Sequence, residues 1–243
     1  MALKEQHTRT AMLLGDKGVE RLSKAHVAVF GIGGVGGYVV EALARAGVGA
    51  LSLFDNDTVS ESNLNRQIIA LRSTVGMQKT EAAAARVRDI DPDIKVQCHN
   101  VFYLPENAGE FDLSKYDYIV DAIDTVAAKM ELIRRARAAN VPIICSMGTG
   151  NKLDPTAFRV AKIEKTDTCP LARTVRNLCK KEGIRGVKVV YSTEQPAGDT
   201  LSDGHGRHAP GSISFVPAAA GLCIAGEVIR TLAGNTAQIG ENE

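Results

Sequence analysis

Tryptophan is absent from this chain of 243 residues, and aromatic residues make up only 5% of it. This composition argues against a protein that binds nucleic acid mainly by stacking bases on aromatic side chains. The formal net charge of +1 likewise argues against a surface covered with positive charge. The hydrophobic fraction of 44% and the charged fraction of 23% are ordinary for a globular protein. Disordered, collagen-like and fibrous classes are therefore excluded.

No pair among the five cysteines has C-x-x-C spacing, so neither a zinc ribbon nor a thioredoxin-like site is predicted. The first residues, MALKEQHTRT, contain no apolar core of a signal peptide. The longest apolar run, residues 213–226, is shorter than the roughly 20 residues that span a bilayer. We therefore expect a cytoplasmic protein in a reducing compartment, without stable membrane insertion.

Short apolar runs alternate with helical stretches along the first 150 residues. Strands are predicted at 26–30, 50–54, 95–99, 118–121 and 142–146, and helices at 38–46, 80–90 and 125–140. This alternation predicts an α/β fold with a Rossmann-like, mostly parallel sheet flanked by helices. Residues 1–150 would form the nucleotide-binding core of a single domain.

The remaining residues, 151–243, are predicted to form a substrate-binding α/β extension on the same sheet. Strands are expected at 158–163, 187–191 and 213–216, a basic helix at 170–182 and an apolar helix at 218–232. Between them, residues 196–211 are rich in Gly, Pro, Asp and Ser, which predicts a mobile loop.

The segment GIGGVG, residues 31–36, follows the first predicted strand and opens a helix. Glycine permits the positive φ of a tight turn and lets a phosphate approach the backbone N–H groups at the helix N-terminus. Asp55 follows Gly36 by 19 residues, at the end of the second strand, which is typical of an acid that hydrogen-bonds a ribose. The pattern predicts a nucleotide site that would suit NAD as well as ATP. The plain alternative is a turn that packs helix against strand.

Charged residues in later loops favour ATP over NAD. Arg66 and Lys79 lie in loops that return to the carboxyl edge of the sheet, where two cations would neutralise a triphosphate. Asp121 and Asp124 flank the turn after the fourth strand, where a carboxylate can hold Mg²⁺. Asp124 would equally suit the N-cap of the following helix. Arg9, taken alone, is interpreted as a solvated arginine.

The motifs GIGGVG, DNDTV, SNLNRQ, VGMQK and DAIDT resemble those of the ubiquitin-activating-enzyme-like (ThiF/MoeB/HesA) adenylating family. The resemblance implies activation of a carboxylate as an acyl-adenylate, with ATP and Mg²⁺. By motif position it implies a phosphate loop of Gly31, Gly33, Gly34 and Gly36, a ribose ligand in Asp55, ATP contacts from Asn63 and Arg66, a phosphate contact from Lys79, and a metal ligand in Asp124. Arg9 lies where the family places an arginine that reaches the neighbouring subunit's ATP, which implies a homodimer.

Further segments, including QIIALRSTVGMQK, MGTGNKLDPTAF, KTDTCPLAR and GSISFVPAAAG, resemble the tRNA threonylcarbamoyladenosine dehydratase family over nearly the whole chain. This implies ATP-dependent adenylation of the threonyl carboxylate of threonylcarbamoyladenosine beside the tRNA anticodon, followed by ring closure. Arg9, Arg66, Lys79 and Asp124 would then be the catalytic residues.

Other functions stay open at this point. The main alternative is an activator of a ubiquitin-like sulfur-carrier protein of the molybdopterin or thiamine type, and the missing C-x-x-C pairs favour the dehydratase. An NAD-dependent oxidoreductase and a non-catalytic nucleotide-binding module are weaker alternatives. Cys169 is the best-placed cysteine for a thioester, although we interpret it as a structural thiol. A sulfur-relay partner protein is left open.

The near-zero net charge conceals a basic segment. Residues 152–188 contain ten Lys and Arg against four Asp and Glu, so this segment carries +6 and the rest of the chain −5. In the predicted helix 170–182, the residues Arg173, Arg176 and Lys180 fall on one face. We expect this face to contact the phosphate backbone of tRNA.

Overall fold

A seven-stranded sheet lies at the centre of the computed structural model, which describes residues 3–197, 201–202 and 208–235. Its strand order is β3-β2-β1-β4-β5-β7-β6. The strands are β1 (His26–Phe30), β2 (Ala50–Phe54), β3 (Lys95–His99), β4 (Tyr118–Asp121), β5 (Ile143–Ser146), β6 (Phe158–Lys162) and β7 (Lys188–Ser192). All neighbouring pairs are parallel except β6 with β7, so the predicted α/β class and mostly parallel sheet are confirmed.

Helices cover both faces of the sheet. In the described part of the chain they are α1 (Thr8–Leu14), α2 (Asp16–Lys24), α3 (Gly36–Ala46), α4 (Lys79–Ile90), α5 (Val126–Ala138), α6 (Pro170–Lys181) and α7 (Phe215–Ala233). One core joins α3, α4 and α7 to the sheet, and the other joins α5 and α6 to its opposite face. Because side chains alternate along a strand, Val27 and Val29 enter the first core and Ala28 and Phe30 the second. Strands buried on both faces read as continuous apolar runs, which is why the sequence reveals them.

The last helix is where the sequence-based prediction is wrong. Residues 213–216 do not form a strand, because α7 begins at Phe215. Pro217 lies in the first turn of α7, where its missing N–H removes no intrahelical hydrogen bond. Among the described residues, α7 is the one helix long and apolar enough to cross a membrane by length and composition. It packs mainly against α3, and Val216, Ile224 and Val228 are fully buried there, as in the core helix of a globular domain.

The second part of the chain continues the same sheet through β7 and β6, as predicted. Of the loop expected at 196–211, residues 198–200 and 203–207 lie outside the described residues. Within it, β8 (Leu201–Ser202) pairs antiparallel with β9 (His208–Ala209). The division into a nucleotide-binding core and a substrate-binding extension stays a prediction.

Candidate active site

A cavity of about 770 Å³ opens at the carboxyl ends of β1, β2 and β4. The sheet extends from β1 through β2 to β3 on one side and through β4 on the other. Such a switch in strand order is where open α/β sheets bind ligands. Eight of the ten predicted site residues line this cavity: Gly31, Gly33, Gly34, Asp55, Asn63, Arg66, Lys79 and Asp124. Arg9 and Gly36 do not.

The glycine loop shows why two of its positions admit no side chain. Gly31 has φ +87°, and a Cβ there would lie 2.7 Å from the carbonyl oxygen of Ala122. A Cβ on Gly36 would lie 1.8 Å from the carbonyl oxygen of Gly31, so Gly36 lets α3 close onto the loop. At Gly33 the nearest atom would be the amide nitrogen of Gln67 at 3.8 Å, which leaves the cavity side of the loop open. The loop thus presents backbone N–H groups at the N-terminus of α3, an arrangement suited to phosphate.

Asp55 ties the end of β2 to the glycine loop. Its carboxylate accepts hydrogen bonds from the backbone N–H of Ile32 at 2.7 Å and of Asp57 at 2.9 Å. The side chain is nearly buried, and Asp55 also borders the cavity. Its contact with the loop was not foreseen from the sequence, and its ribose role stays a prediction.

Lys79 begins α4 and is 7% exposed. Its Nζ donates to Asp57 Oδ2 at 2.6 Å and lies 3.9 Å from Asp55 Oδ1. Asp57, which also lines the cavity, was missed by sequence reasoning, although it follows Asp55 by two positions in the motif. The ammonium is therefore held in place at the cavity wall, and an anionic ligand there would share it with Asp57.

The loop after β2 is ordered by its own side chains. Asn63 Oδ1 accepts the backbone N–H of Ser60 at 3.1 Å and closes a capping box. The Arg66 guanidinium donates from Nη1 to Asn65 Oδ1 at 2.8 Å. Asn65 in turn donates from Nδ2 to the carbonyl oxygen of Ser212 at 3.0 Å. Arg66 is thus oriented through Asn65 by a residue from the far end of the chain.

Residues 210–212 border the cavity, and Pro210 and Ser212 line it. Two asparagines from different loops hold this short segment by hydrogen bonds. Asn65 holds it from the β2 side, while Asn151, from the loop after β5, exchanges two hydrogen bonds with Gly211. The Gly211 N–H donates to Asn151 Oδ1 at 2.6 Å, and the Asn151 N–H donates to the Gly211 carbonyl at 2.8 Å.

Asp124 is exposed on the cavity wall, and its carboxylate accepts one long hydrogen bond, from Thr125 Oγ1 at 3.4 Å. The N-cap position of α5 is Thr125, so Asp124 does not cap that helix. Within residues 3–197, 201–202 and 208–235, no group of three or more His, Cys, Asp and Glu residues could hold a metal. Because Mg²⁺ is commonly held by one or two carboxylates together with substrate phosphates, a single free carboxylate at this wall fits that ion.

An ion pair between Asp121 and Lys129 lies fully buried beneath the cavity, with Nζ and Oδ2 2.6 Å apart. Lys129 also donates to the carbonyl oxygen of Ser146 at 3.0 Å, and Asp121 Oδ1 accepts the N–H of Ile123 at 3.1 Å. The pair therefore connects the end of β4 to that of β5, and Ile123, two residues after β4, and Ser146 line the cavity. Lys129 was missed because it reads in the sequence as one more lysine on a helix.

Aromatic side chains form the wall on the β2 and β3 side. Phe30 and Phe54 stack with ring centroids 4.1 Å apart, and Tyr103 packs edge-on against Phe30. Burial raises the pKa of Tyr103 to about 12, so its hydroxyl stays protonated. Phe102 borders the same cavity and is 47% exposed. The low aromatic content of the sequence does not indicate this cluster, which forms an apolar part of the cavity lining beside the polar loops.

Two other predicted residues lie apart from the cavity lining. Arg9 is exposed on α1. Cys169, which precedes α6, is 1% exposed, as expected of the structural thiol inferred from the sequence. Cys145 in β5 is fully buried, and burial raises the pKa of its thiol well above the ordinary value. Cys223 in α7 is half-buried and packs against the core that contains α3 and α7.

Known proteins resemble this chain along nearly its full length. The ThiF family model matches residues 7–242. A tRNA threonylcarbamoyladenosine dehydratase of Bacillus subtilis (strain 168) is 41% identical over 239 residues, 93% of this chain and 94% of that protein. One from Escherichia coli (strain K12) is 40% identical over 201 residues, 79% of this chain and 75% of that protein. The crystal structure of E. coli tRNA N6-threonylcarbamoyladenosine dehydratase, TcdA, in complex with ATP superposes with a TM-score of 0.86 at 34% identity, covering 99% of this chain and 100% of that chain.

Proposed function

This chain belongs to the ThiF family, and we propose that it is an ATP-dependent tRNA threonylcarbamoyladenosine dehydratase. It adenylates the threonyl carboxylate of threonylcarbamoyladenosine in tRNA and closes it into the cyclic form. The observation that carries this proposal is the convergence of the glycine loop, Asp55, Arg66 and Lys79 on one cavity at the switch in strand order. Similarity to dehydratases over nearly the full chain supports it. A cytoplasmic location, as expected from the sequence, is part of the proposal.

The cavity residues bind ATP by complementary charge. Backbone N–H groups of residues 33–35 and the N-terminus of α3 take up phosphate oxygens. Arg66 and Lys79 supply two cations, which Asn65 and Asp57 hold in place before the nucleotide arrives. Such preorganised cations neutralise the charge that develops at the α-phosphorus during attack, without reorganising at the moment of reaction.

The reaction proceeds in two displacements. An oxygen of the threonyl carboxylate attacks the α-phosphorus and pyrophosphate leaves, which produces the acyl-adenylate. An atom of the same modified nucleoside then attacks the activated carbonyl carbon, gives up its proton, and expels AMP as the ring closes. Because the second nucleophile is tethered to the carbonyl it attacks, proximity supplies much of the rate and no protein nucleophile is needed. The burial of Cys169 accords with this.

Mg²⁺ would be held by Asp124 together with phosphate oxygens, and when bound it would neutralise charge on the pyrophosphate leaving group. The enzyme acts as a homodimer in which Arg9 reaches the neighbouring subunit's ATP. Next to Arg9 on α1, Met12 is 78% and Leu13 84% exposed, and such apolar exposure supports a contact with a second copy. A sulfur-relay partner protein is not part of the proposal.

One experiment tests the function directly. The purified protein is incubated with ATP, Mg²⁺ and tRNA that carries threonylcarbamoyladenosine, and the digested nucleosides are analysed by mass. We expect a nucleoside lighter by one water, with AMP and pyrophosphate released in equal amounts, and no product from a Lys79→Met variant that folds normally. Unchanged tRNA together with pyrophosphate exchange that depends on a sulfur-carrier protein would instead identify the alternative activator.

A further inference from the structure

The outer face of α6 carries cations that lack an acidic partner within the described ranges. Arg173, Lys180 and Lys181 are exposed there, while Ala172 and Val175 point into the core. At 3.6 residues per turn, the three cations lie on one side of the helix. No salt bridge within the described part of the chain involves any of the three.

The structure changes which residues belong to this face. Arg176, predicted to join it, is half-buried and donates from Nη1 to the carbonyl and hydroxyl oxygens of Thr166. The acid that follows the helix, Glu182, accepts two hydrogen bonds of 2.7 Å from the guanidinium of Arg134 on α5. Arg176 is therefore engaged in hydrogen bonds within the protein, and the charge of Glu182 is neutralised by Arg134. Within the described residues, the remaining cations of this face form no salt bridge.

Further exposed cations extend the same surface. Lys165 lies in the turn that packs against α6, and Arg185 follows the helix. The guanidinium of Arg137 donates to the carbonyl oxygen of Arg185 at 3.0 Å, which fixes these two residues beside each other. The carboxylate of Glu164, close by in sequence, already accepts the backbone N–H of Gly186. We call these six cations on and around α6 the α6 surface: Arg137, Lys165, Arg173, Lys180, Lys181 and Arg185.

The first turn of α6 borders the nucleotide cavity. Leu171, in the first turn of α6, lines the cavity together with Gly148. Arg173 follows two residues later, and Lys181 lies about 15 Å further along the axis than Leu171, at 1.5 Å per residue. At 100° per residue, Arg173 and Lys180 project from the side of α6 opposite Leu171, so a polyanion with one unit in the cavity would pass around the N-terminal end of the helix to reach these cations.

We propose that the α6 surface binds the phosphate backbone of the substrate tRNA while the modified nucleotide occupies the cavity. The inference rests on the proposed function, which requires a nucleotide of a tRNA to reach the ATP. Phosphate is the group that the surface recognises, because its exposed residues are Lys and Arg with no aromatic side chain on which a base could stack. The surface positions the tRNA and takes no part in the bond changes.

The test combines three neutralising substitutions, Arg173→Ala, Lys180→Ala and Lys181→Ala. We expect the KM for tRNA to rise at least about tenfold, with kcat at saturating tRNA and the Kd for ATP unchanged. The negative slope of the logarithm of the tRNA binding constant against the logarithm of the salt concentration should become shallower by about 2 to 2.7. Each lost phosphate contact contributes about 0.7 to 0.9 to its magnitude. A residue that matters only for folding would not change this slope while leaving kcat intact.

A matched control removes the same three charges elsewhere. Lys17→Ala, Arg88→Ala and Lys95→Ala neutralise one arginine and two lysines that are exposed on α2, on α4 and at the start of β3, away from the cavity residues. We expect the KM and the salt slope of this variant to stay within about twofold of the wild type. Thermal unfolding of both variants establishes that they fold.

Distinct outcomes separate the two proposals. Suppose that the wild type dehydrates the tRNA. If the α6 variant then keeps the wild-type KM and salt slope, or if the control variant shows the same rise in KM as the α6 variant, the α6 surface is not the docking site. If the wild type binds tRNA without dehydrating it, the proposed function fails, and the binding slopes still decide the surface. If polyglutamate binds the wild type as tightly as tRNA does at equal charge, and binds the α6 variant more weakly, the partner of the α6 surface is an acidic protein and not tRNA.

Discussion

Replacing Lys129 by methionine would leave the carboxylate of Asp121 charged and unpaired beneath the cavity. Both side chains are fully buried, and their 2.6 Å contact is the only ion pair that either makes in the described part of the chain. Methionine fills a similar volume, so the substitution removes charge and hydrogen bonds more than packing. The Ser146 carbonyl would also lose the hydrogen bond that it accepts from Lys129.

Breaking a buried pair by removing one partner costs about 3–5 kcal/mol, because the remaining charge is uncompensated. Removing both charges costs much less, so Lys129→Met combined with Asp121→Asn should lose no more than about 2 kcal/mol. The asparagine Oδ1 still accepts the N–H of Ile123, which keeps the turn after β4 in place.

Urea unfolding followed by circular dichroism measures this difference. With a slope of about 3 kcal/mol per M, the midpoint of the single variant should fall by roughly 1 to 1.7 M, and that of the double variant by less than about 0.7 M. A single variant within about 1 kcal/mol of the wild type, or a double variant no more stable than the single one, would refute the role assigned to this pair.

Three further predictions follow from the site and the core. Gly33→Ala should fold normally but weaken ATP binding about tenfold by calorimetry, whereas Gly36→Ala should lower the unfolding temperature as well, because its Cβ overlaps a backbone oxygen. Burial raises the pKa of Glu41, but hydrogen bonds from Arg45 of α3 and Arg86 of α4 outweigh it and hold the pKa below the ordinary value of a glutamate. The difference in unfolding free energy between the wild type and Glu41→Gln should therefore persist above about pH 5 and vanish as the pH falls through the lowered pKa of Glu41. A difference that is independent of pH would contradict this. Mixing Arg9→Ala with Lys79→Ala subunits should restore part of the dehydratase activity, and no rescue despite subunit exchange would exclude action across a dimer.

Much of the sheet and of the cavity lining was predictable because both leave local marks in the sequence. The strands are apolar runs buried on two faces, and parallel strands bring their carboxyl ends to one edge, which gathers Asp55, Arg66 and Lys79. Gly36 shows the limit of this reasoning. Its motif position predicted a phosphate contact, yet it is missing from the cavity lining and serves the packing of α3.

The interactions that orient the site were not predictable, because each depends on a side chain whose partner is set by tertiary structure. Asp57 and Lys79 are 22 residues apart, and nothing in the intervening sequence specifies their contact. The position of Arg176 in the sequence predicts that it lies on the outer face of α6, but its guanidinium hydrogen-bonds Thr166. The periodicity of the sequence does not predict this contact. The start of α7 was mispredicted because apolar and polar residues alternate there as in a strand. Packing against α3, which the local sequence does not show, favours a helix instead.

The position of residues 210–212 beside the cavity has a consequence for synthesis of the chain. It and Pro217 complete a cavity whose other lining comes mostly from the first 150 residues, and a Cβ on Gly34 would lie only 3.2 Å from the ring of Pro217. A nascent chain emerging from the ribosome therefore has the glycine loop long before it has residues 210–217. The nucleotide cavity can therefore take its complete form only after the start of α7 has been synthesised.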